Sequence, residues 1–298
     1  MCLARDLFLL GIGEQIPTIQ DYTDRFAVSR GVVQSAWEAL SADGSVQIGR
    51  RGMRGSFLEM KEAQKLFAHT GWGLVTGTMP IPLTPYFTSL ATGLCEAFSA
   101  APFTVSFAYM SGSSKRADTL ADGVYDFMVS SRSAARMHEQ EHPELKICAE
   151  LKGTLYSPAY RLYFLDPDKK EIEDGMRIGV DPACRDQKAL TEWLVQGRNV
   201  TIVEYPFIGF EDLIRSGAAD GAVFRDISWN EKAKDLGLRG LPIPEREGFR
   251  EEDMNTPVLL IRRDNYGMER LLRQFLDLPR ISRIQQEVLA GKRSMRFS

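Results

Sequence analysis

FAVSRGVVQSAWEALSADGSVQIGRRGMRGSFL, residues 26–58, predicts a short turn, a helix and two extended segments around a tip of glycine and arginine. Ser29 is a favourable N-cap for this helix, and Gly44 is expected to end it in the left-handed conformation. The helix is amphipathic. Its inward face would consist of Val33, Ala36, Trp37 and Leu40, and its outward face of Arg30, Gln34, Ser35 and Glu38.

Another helix is predicted directly before it, in PTIQDYTDRF, residues 17–26. Thr18 is a good N-cap, and Asp21 would lie near the positive end of the helix dipole. Ile19, Tyr22 and Phe26 recur at helical spacing and are expected to face a core. Two helices joined by so short a turn form a helix-turn-helix, whose second helix would read DNA.

The two extended segments predict a β-wing, with SVQI (45–48) and SFLEM (56–60) as strands and GRRGMRG (49–55) as the turn. Glycine and arginine at a hairpin tip suit close approach to a phosphate backbone or entry into a minor groove. The alternative to a DNA-binding wing is a solvated turn on a small α+β domain. The pattern of helices and wing together favours DNA binding.

The charges of the first sixty residues are divided unevenly. The segment holds six arginines and seven acids, so it is not basic overall. The part that would face DNA carries Arg30, Arg50, Arg51 and Arg54, whereas Asp6, Glu14, Asp21 and Asp24 lie elsewhere. The local asymmetry supports a DNA-binding surface, although the net charge does not.

The stretch IPTIQDYTDRFAVSRGVVQSAWEALSADGSV resembles the winged-helix head of GntR-type transcription regulators, and the resemblance covers about residues 13–58. In that family the arginine of a V-S-R motif, the residues after it and a glycine at the wing tip contact DNA. The resemblance implies DNA contacts at Arg30, Gly31, Gln34 and Gly52. Val32 and Gln34 replace the usual threonine and arginine, which alters the expected operator. Gln34 can still read adenine in a bidentate manner.

The rest of the chain alternates between strands and helices. Strands are predicted at 72–80, 103–110 and 125–131, with helices at 84–100 and 114–123 between them. The order recurs with strands at 176–181, 200–206 and 220–225 and helices at 187–197 and 209–217. Such an order predicts two lobes, each with a parallel sheet. Extended segments at 160–168 and 256–265 would cross between the lobes, and two helices at about 267–292 would return to the first lobe.

Two matching segments, TLADGVYDFMVSS and DLIRSGAADGAVF, resemble type 2 periplasmic-binding-protein folds. The whole arrangement, with the winged helix in front, resembles the YhfZ family of predicted regulators. The resemblance implies an α/β chain with an N-terminal winged helix-turn-helix and a two-lobed effector domain. We expect a DNA-binding domain at 1–60, a linker at 61–71 and an effector domain at 72–298. Lobe I would comprise about 72–159 plus 264–298, and lobe II about 166–256.

A ligand site is expected at the carboxyl ends of the strands, in the cleft between the lobes. Hydroxyl groups beside helix N-termini form a cradle for an anion, and Arg132 or Arg225 would pair with a carboxylate or phosphate. For each serine or threonine the alternative role is an N-cap, and for Arg225 it is an ion pair with Asp226 or a surface position. The candidate ligand residues are Thr76, Thr78, Ser111, Ser113, Ser114, Ser130, Ser131, Arg132, Asp181, Tyr205, Arg225 and Asp226.

No catalytic motif emerges from the sequence, and the interpretation is a non-enzyme without cofactor or metal. His138 and His142 lie in MHEQEHPE, but the zinc-protease order H-E-x-x-H is absent, and a solvated charged helix is the favoured interpretation. No G-x-S-x-G elbow or phosphate loop occurs. Cys184 lies between a strand and a helix, where a lowered pKa is conceivable, but we interpret it as an ordinary small residue.

Composition sets the cellular context. Of the 298 residues, 44% are hydrophobic and 26% are charged, which is ordinary for a globular protein. The four cysteines lie far apart, which argues against zinc sites and disulfides and fits a reducing cytoplasm. No apolar run is long enough to span a bilayer, and the N-terminus is a poor signal peptide. We therefore predict a cytoplasmic protein with no membrane partner.

Three functional hypotheses remain open. The first is a homodimeric regulator that binds a near-palindromic operator in double-stranded DNA and responds to a small effector, a carboxylate or phosphate. The second is an enzyme on a two-lobed binding fold with a degenerate winged helix. The third is a winged helix that serves protein interaction or dimerisation. In the first, effector binding would close the lobes and change the spacing of the DNA-binding heads.

Overall fold

The computed structural model describes residues 1–206, 209–226, 237–244 and 249–296. It divides into two units. The first consists of Met1–Thr76, Ala97–Ser106 and Asp264–Leu276, and the second of Gly77–Glu96, Phe107–Arg263 and Asp277–Ser298.

The helices and strands follow the predicted alternation. In the described ranges the helices are α1 (Cys2–Leu9), α2 (Ile19–Phe26), α3 (Arg30–Ala42), α4 (Ala63–Ala68), α5 (Pro85–Phe98), α6 (Ser113–Ala121), α7 (Arg132–Glu141), α8 (Arg185–Leu194), α9 (Phe210–Arg215), α10 (Glu251–Asn255), α11 (Met268–Phe275) and α12 (Leu278–Leu289). The strands are β1 (Gln15–Ile16), β2 (Val46–Arg50), β3 (Ser56–Lys61), β4 (Val75–Met79), β5 (Val105–Tyr109), β6 (Phe127–Ser131), β7 (Leu145–Glu150), β8 (Tyr160–Phe164), β9 (Arg177–Val180), β10 (Thr201–Glu204), β11 (Gly221–Arg225), β12 (Leu241–Pro242) and β13 (Pro257–Arg262).

The first unit contains the predicted helix-turn-helix and wing. The Thr18 side chain caps α2 by accepting from the Asp21 N–H, and the Asp21 carboxylate accepts from the Thr18 N–H, which completes a capping box. Ala27 ends α2 in the left-handed region at φ 52°, and Ser29 then caps α3. The wing is the antiparallel pair β2–β3, to which β1 adds a third strand.

The core of the first unit agrees with most of the predicted helix faces. Val33, Trp37 and Leu40 are buried on α3, and Tyr22 is fully buried on α2. Ile19, Phe26 and Ala36 are only half-buried, so the expectation that they face the core is met in part.

An aromatic cluster ties the remaining segments into this unit. Phe8 lies on α1, a helix that the sequence analysis did not predict. Its ring lies 5.3 Å from that of Phe67 and 6.1 Å from that of Phe275. Phe67 also stacks on Phe103 at 5.0 Å. These contacts explain why Ala97–Ser106 and Asp264–Leu276 belong with the N-terminal helices.

The second unit carries two lobes, each built around a five-stranded sheet. The order is β5-β4-β6-β13-β7 in the first lobe and β10-β9-β11-β8-β12 in the second. The β4–β6, β9–β10 and β9–β11 pairs are parallel, as predicted. Strands β13 and β8 run antiparallel to their neighbours, so the expectation of wholly parallel sheets was wrong. These two strands are the predicted crossing segments. Each runs antiparallel to the strands that the βαβ units place in its sheet.

Helix α7 contains the first part of MHEQEHPE, the stretch that sequence analysis interpreted as a solvated charged helix. His138 on α7 is 0% exposed, so that interpretation was wrong for the buried face of the helix. Ala134 and Ala135 are buried on the same helix, and Leu145 is buried at the start of β7. Arg136 and Glu141 on the same helix are exposed, so α7 has both buried and exposed positions, as an amphipathic helix does.

Candidate functional site

The predicted DNA-contact residues lie on two exposed features of the first unit. Arg30, Gly31 and Gln34 are exposed at the start of α3. The others, Arg50, Arg51, Gly52 and Arg54, are exposed at the tip of the wing. The structure therefore groups three of the candidates on the first turns of one helix and four on one hairpin tip.

Local hydrogen bonds fix the wing tip. The Arg51 N–H donates to the Gly55 carbonyl at 2.9 Å, and the Gly55 N–H donates to the Gly52 carbonyl at 3.1 Å. Gly52 and Gly55 have φ of 56° and 85°, a region that favours glycine. The Gln15 side chain donates to the Arg54 carbonyl at 3.1 Å, and the Arg51 guanidinium lies 4.6 Å from the centre of the Phe57 ring. The arginines thus project from a turn that hydrogen bonds hold in place.

The arginines of the first sixty residues fall into two groups. Arg5 donates to the carbonyls of Thr70 and Tyr266, and Arg25 pairs with Asp6 at 2.7 Å. In contrast, no ion pair joins any of the other four to a described residue of the chain; these are Arg30, Arg50, Arg51 and Arg54. The arginines without an ion pair to a described residue are the ones that would face DNA, so their charge is available to phosphates.

Two side chains on the outer face of α3 modify this surface. The Gln34 amide donates to the Glu38 carboxylate at 3.1 Å, so reading a base would require exchange of that bond. Val32 is 56% exposed, which leaves an apolar side chain on the surface that would enter a groove. Contact with a thymine methyl suits such a side chain.

A cavity of about 60 Å³ lies in the second unit, at the carboxyl ends of strands from both lobes. Ser131 ends β6, Asp181 follows β9 and Arg225 ends β11, so the cavity occupies the place that open α/β sheets favour for ligands. Five of the predicted ligand residues line it, namely Ser111, Ser113, Ser131, Asp181 and Arg225.

The other predicted ligand residues lie outside the cavity lining, namely Thr76, Thr78, Ser114, Ser130, Arg132, Tyr205 and Asp226. Ser130 points to the opposite face of β6 from Ser131, because side chains alternate along a strand. Arg132 binds Asp253 at 2.5 Å, Glu252 at 3.0 Å and Glu150 at 3.2 Å. That guanidinium is therefore occupied by carboxylates of the chain itself.

Tyr205 is likewise engaged inside the second lobe. Its hydroxyl accepts from the Gln187 amide at 2.6 Å, and the same amide donates to the Val223 carbonyl. Thr76 belongs to the first unit, whereas the cavity lies within the second.

Sequence reasoning missed three polar residues of the cavity, which are Arg116, Tyr156 and Asp186. Arg116 lies one turn into α6, and Asp186 lies in the first turn of α8. A search of the first helical turn after each strand end would have found both. Tyr156 lies in the segment between β7 and β8, where no periodic pattern marks it.

A buried ion pair joins Arg225 and Asp186. The Arg225 Nη2 atom lies 3.4 Å from Asp186 Oδ2, and both side chains are at least nine-tenths buried. Burial raises the pKa of Asp186, and the Arg225 charge opposes that rise. The guanidinium also lies 4.1 Å from the centre of the Tyr160 ring, at cation–π distance. The structure therefore pairs Arg225 with Asp186, a partner that the sequence analysis did not name.

One of the three guanidinium nitrogens of Arg116 has no hydrogen-bond partner among the described residues. Its Nη1 atom donates to the Met110 carbonyl at 2.8 Å, and its Nη2 atom donates to the Tyr156 hydroxyl at 3.1 Å. Its Nε atom is buried without a hydrogen-bond partner in the described part of the chain. The same is true of Asp186 Oδ1, the carboxylate oxygen that Arg225 does not contact.

Contacts between the two lobes close the wall of the cavity. The Ser114 N–H donates to the Ala183 carbonyl at 3.3 Å, and the Arg185 N–H donates to Ser113 Oγ at 3.1 Å. Gly112 has φ 81°, and a Cβ atom there would lie 2.7 Å from the Ala183 Cβ. The lobes therefore meet too closely at Gly112 for a larger residue.

Cys184 and His138 were also singled out by the sequence analysis, and burial shifts the pKa of each side chain. Burial raises the pKa of the Cys184 thiol, so the conceivable lowering was wrong. Burial lowers the pKa of His138 to about 3, which keeps its imidazole neutral. The described residues contain no cluster of His, Cys, Asp and Glu able to hold a metal ion. Among the helices described, none has the length and apolar character to span a membrane.

Comparison with known proteins agrees with this architecture. Residues 11–58 match a helix-turn-helix domain family, and residues 62–297 match the YhfZ C-terminal domain family. The uncharacterized protein YhfZ of Escherichia coli (strain K12) is 30% identical over 290 residues, which cover 97% of this chain and 93% of that protein.

Solved structures of other proteins have similar folds. The crystal structure of YhfZ from Shigella flexneri has a TM-score of 0.64 at 27% identity, covering 78% of this chain and 97% of that one. An ancestral arginine-binding protein bound to arginine has a TM-score of 0.50 at 12% identity, covering 74% and 94%. The latter likeness confirms the periplasmic-binding-like fold of the region behind the winged helix-turn-helix. The chain belongs to the YhfZ family.

Proposed function

We propose that this chain is a transcription regulator that binds operator DNA through the first unit and a small polar ligand through the cavity of the second. The observation that carries the proposal is the division of the arginines. Arg5 and Arg25 are used inside the first unit, whereas four others extend from α3 and the wing tip without an ion pair to any described residue. Helix α3 would enter the major groove, and the wing arginines would contact phosphates or a minor groove.

The domain assignment is part of the same proposal. Residues 1–60 would bind DNA, residues 61–71 would link, and residues 72–298 would sense the ligand. Helix α4 lies in the linker, and its Leu66 and Phe67 are buried in the first unit. This linker is therefore proposed as a packed connection.

The regulator would act as a homodimer. Two chains related by a two-fold axis would place two copies of α3 in successive major grooves of a near-palindromic operator. Ligand binding would favour closed lobes, and closure would change the spacing of the heads. A coupling of about 1–3 kcal/mol would change operator affinity by roughly five- to hundredfold.

The polypeptide itself connects the first-lobe sheet to the first unit, which offers a route for this coupling. Strand β13 lies in the first-lobe sheet, and the chain then continues to Tyr266 in the first unit. The Tyr266 hydroxyl donates to Asp6 Oδ1 at 2.7 Å, and Asp6 also pairs with Arg25 on α2. A shift of β13 would act on the helix-turn-helix through these bonds.

Charge reversal tests the DNA-binding part. Fluorescence anisotropy with random-sequence duplex DNA would compare the wild type with Arg30→Glu and Arg51→Glu. We expect each variant to weaken binding about tenfold or more, because it removes one phosphate contact and adds a repulsion. Arg283→Glu is the matched control, since Arg283 is an exposed helical arginine of the second unit. Unchanged binding by both test variants would contradict the proposal and favour a protein-interaction role for the winged helix.

A further inference from the structure

We infer that the ligand of the cavity is a small dipolar molecule, of the amino-acid class, whose anionic group binds Arg116 and whose ammonium group binds Asp186. The inference rests on the proposed function, because it names the ligand of the same cavity. It differs from the simple anion that the sequence suggested.

The charges around the cavity are balanced. Its lining contains the guanidinium groups of Arg116 and Arg225 and the carboxyl groups of Asp181 and Asp186. A ligand with negative charge alone would approach two carboxyl groups as well as two guanidinium groups. A ligand with both charges can place each one beside its opposite, so the lining complements a dipole better than an anion.

The anionic end is assigned to Arg116 because the other candidate arginines are occupied. Arg132 binds three carboxylates of the chain, and Arg225 is held by Asp186 and the Tyr160 ring. Arg116 is 2% exposed, and its Nε atom has no partner among the described residues. A buried N–H group without an acceptor is costly. The Nε atom has less than 1 Å² of accessible surface, so a carboxylate oxygen would satisfy it only together with a shift of the Arg116 side chain toward the ligand.

The surroundings of Arg116 also favour an anion. Ser111 and Ser113 line the cavity beside it, and Gly112 is the N-cap of α6. The backbone N–H groups at the start of this helix carry a partial positive charge. A carboxylate at this place would meet a guanidinium, hydroxyl groups and the end of a helix.

The cationic end is assigned to Asp186. Its Oδ2 atom accepts from Ser131 Oγ at 2.6 Å and lies 3.4 Å from Arg225, and the Ser133 hydroxyl also stabilises the charged carboxylate. Its Oδ1 atom is buried without a hydrogen-bond partner among the described residues. An ionised carboxylate only accepts hydrogen bonds, so the group that satisfies Oδ1 must be a donor. An ammonium group supplies three donors and a positive charge.

The volume sets the size of the molecule. The cavity has a volume of about 60 Å³, which is small for a ligand site. This size favours a short amino acid such as glycine, alanine or β-alanine over a long one. Leu83 and Phe87 line the apolar side, where a short aliphatic group would pack.

Titration calorimetry on the full chain tests the inference with three kinds of probe. Acetate and inorganic phosphate carry only negative charge, ethylamine carries only positive charge, and glycine, L-alanine and β-alanine carry both. We expect saturable binding of at least one amino acid and at least tenfold weaker binding of every single-charge probe. Equal or tighter binding of acetate or phosphate would overturn the inference, and so would binding of none of the six.

Variants of the cavity sharpen the result. Asp186→Asn and Arg116→Gln should each weaken amino-acid binding at least tenfold, whereas Ser130→Ala, outside the cavity, should leave it unchanged. Retained amino-acid binding in both cavity variants would overturn the inference. If neither variant folds, the comparison of the six probes on the wild type decides it. DNA binding measured on the same preparation separates the two claims. If no amino acid binds but DNA binding is intact and depends on Arg51, only the dipolar ligand is refuted. If DNA binding is absent, the proposed regulator is refuted.

Discussion

Ser131 Oγ donates a hydrogen bond of 2.6 Å to Asp186 Oδ2, and this bond joins the N-terminus of α7 to the first turn of α8. The same Ser131 oxygen accepts from the Ala134 N–H and so caps α7. Both side chains are almost fully buried. One serine thus caps a helix of the first lobe and positions the carboxylate that faces the cavity from the second lobe.

Removal of this hydroxyl should destabilise the protein. We expect Ser131→Ala to lower the free energy of unfolding by about 2 kcal/mol, because it removes an N-cap and a hydrogen bond to a carboxylate. Ser130→Ala is the matched control, since Ser130 is equally buried on the same strand and its hydroxyl has no partner among the described residues. Urea unfolding measures both. Equal losses in the two variants would contradict the assigned role of Ser131.

The close approach of the lobes at Gly112 gives another prediction. Gly112→Ala and Gly175→Ala both place a side chain at positive φ, at 81° and 85°. A Cβ at Gly112 would also meet Ala183 at 2.7 Å, whereas a Cβ at Gly175 meets no atom of the structure within 4 Å. We expect a loss of about 1 kcal/mol for Gly175→Ala from backbone strain and a clearly larger loss for Gly112→Ala. Urea unfolding that finds the same loss in both would show that the lobes do not meet there.

Acid should destabilise the protein through His138. Burial lowers the pKa of His138 to about 3, while an unfolded chain has a value near 6.5. Between these values the unfolded state binds a proton that the folded state does not, so stability falls as the pH falls. The neighbouring Arg116, His142 and Arg185 lower the pKa of His138 in the same direction as burial. Glu141 Oε2 lies 3.6 Å from His138 Nδ1.

The His138→Leu variant isolates the contribution of His138 to the loss of stability in acid. We expect the free energy of unfolding of the wild type to fall by about 1.4 kcal/mol per pH unit more steeply than that of His138→Leu between pH 6 and 4.5. Urea unfolding at a series of pH values measures the difference. Parallel pH profiles for the two proteins would mean that His138 takes up a proton without unfolding.

The Tyr266 hydroxyl should stabilise the first unit. It donates to the buried Asp6 carboxylate at 2.7 Å and also accepts from Arg25 at 3.1 Å. We expect Tyr266→Phe to lower the free energy of unfolding by about 2 kcal/mol, because Asp6 loses a charge-assisted hydrogen bond. Tyr22→Phe is the control, since the Tyr22 hydroxyl is buried without a partner in the described ranges. Thermal unfolding in which Tyr22→Phe is the more damaging change would contradict this assignment.

The helix-turn-helix and wing were predictable because their signals are local. Thr18 and Ser29 cap their helices as expected, Gly44 has φ 75°, and the buried positions of α3 follow the apolar spacing. The GntR type of the head stays a prediction, because the matching family is described only as a helix-turn-helix domain.

The cavity was only partly predictable because its residues meet through the tertiary fold. Strand ends pointed to Ser131, Asp181 and Arg225, which do line it. Arg116 was missed because it lies inside a helix, from which a long side chain reaches back toward the N-terminus. Asp186 was missed because its partner Arg225 is 39 residues away in sequence. The antiparallel entry of β8 and β13 also depends on long-range pairing that no local pattern reveals.

Selection of binding sites from random duplex DNA tests whether the chain recognises a specific operator. The purified full chain would be incubated with the pool at two salt concentrations, and bound DNA would be sequenced after repeated rounds. We expect enrichment of a two-fold-symmetric site whose affinity falls steeply with salt, because several arginine–phosphate contacts form. Weak binding without enrichment of any sequence would contradict the claim that this chain is a DNA-binding regulator.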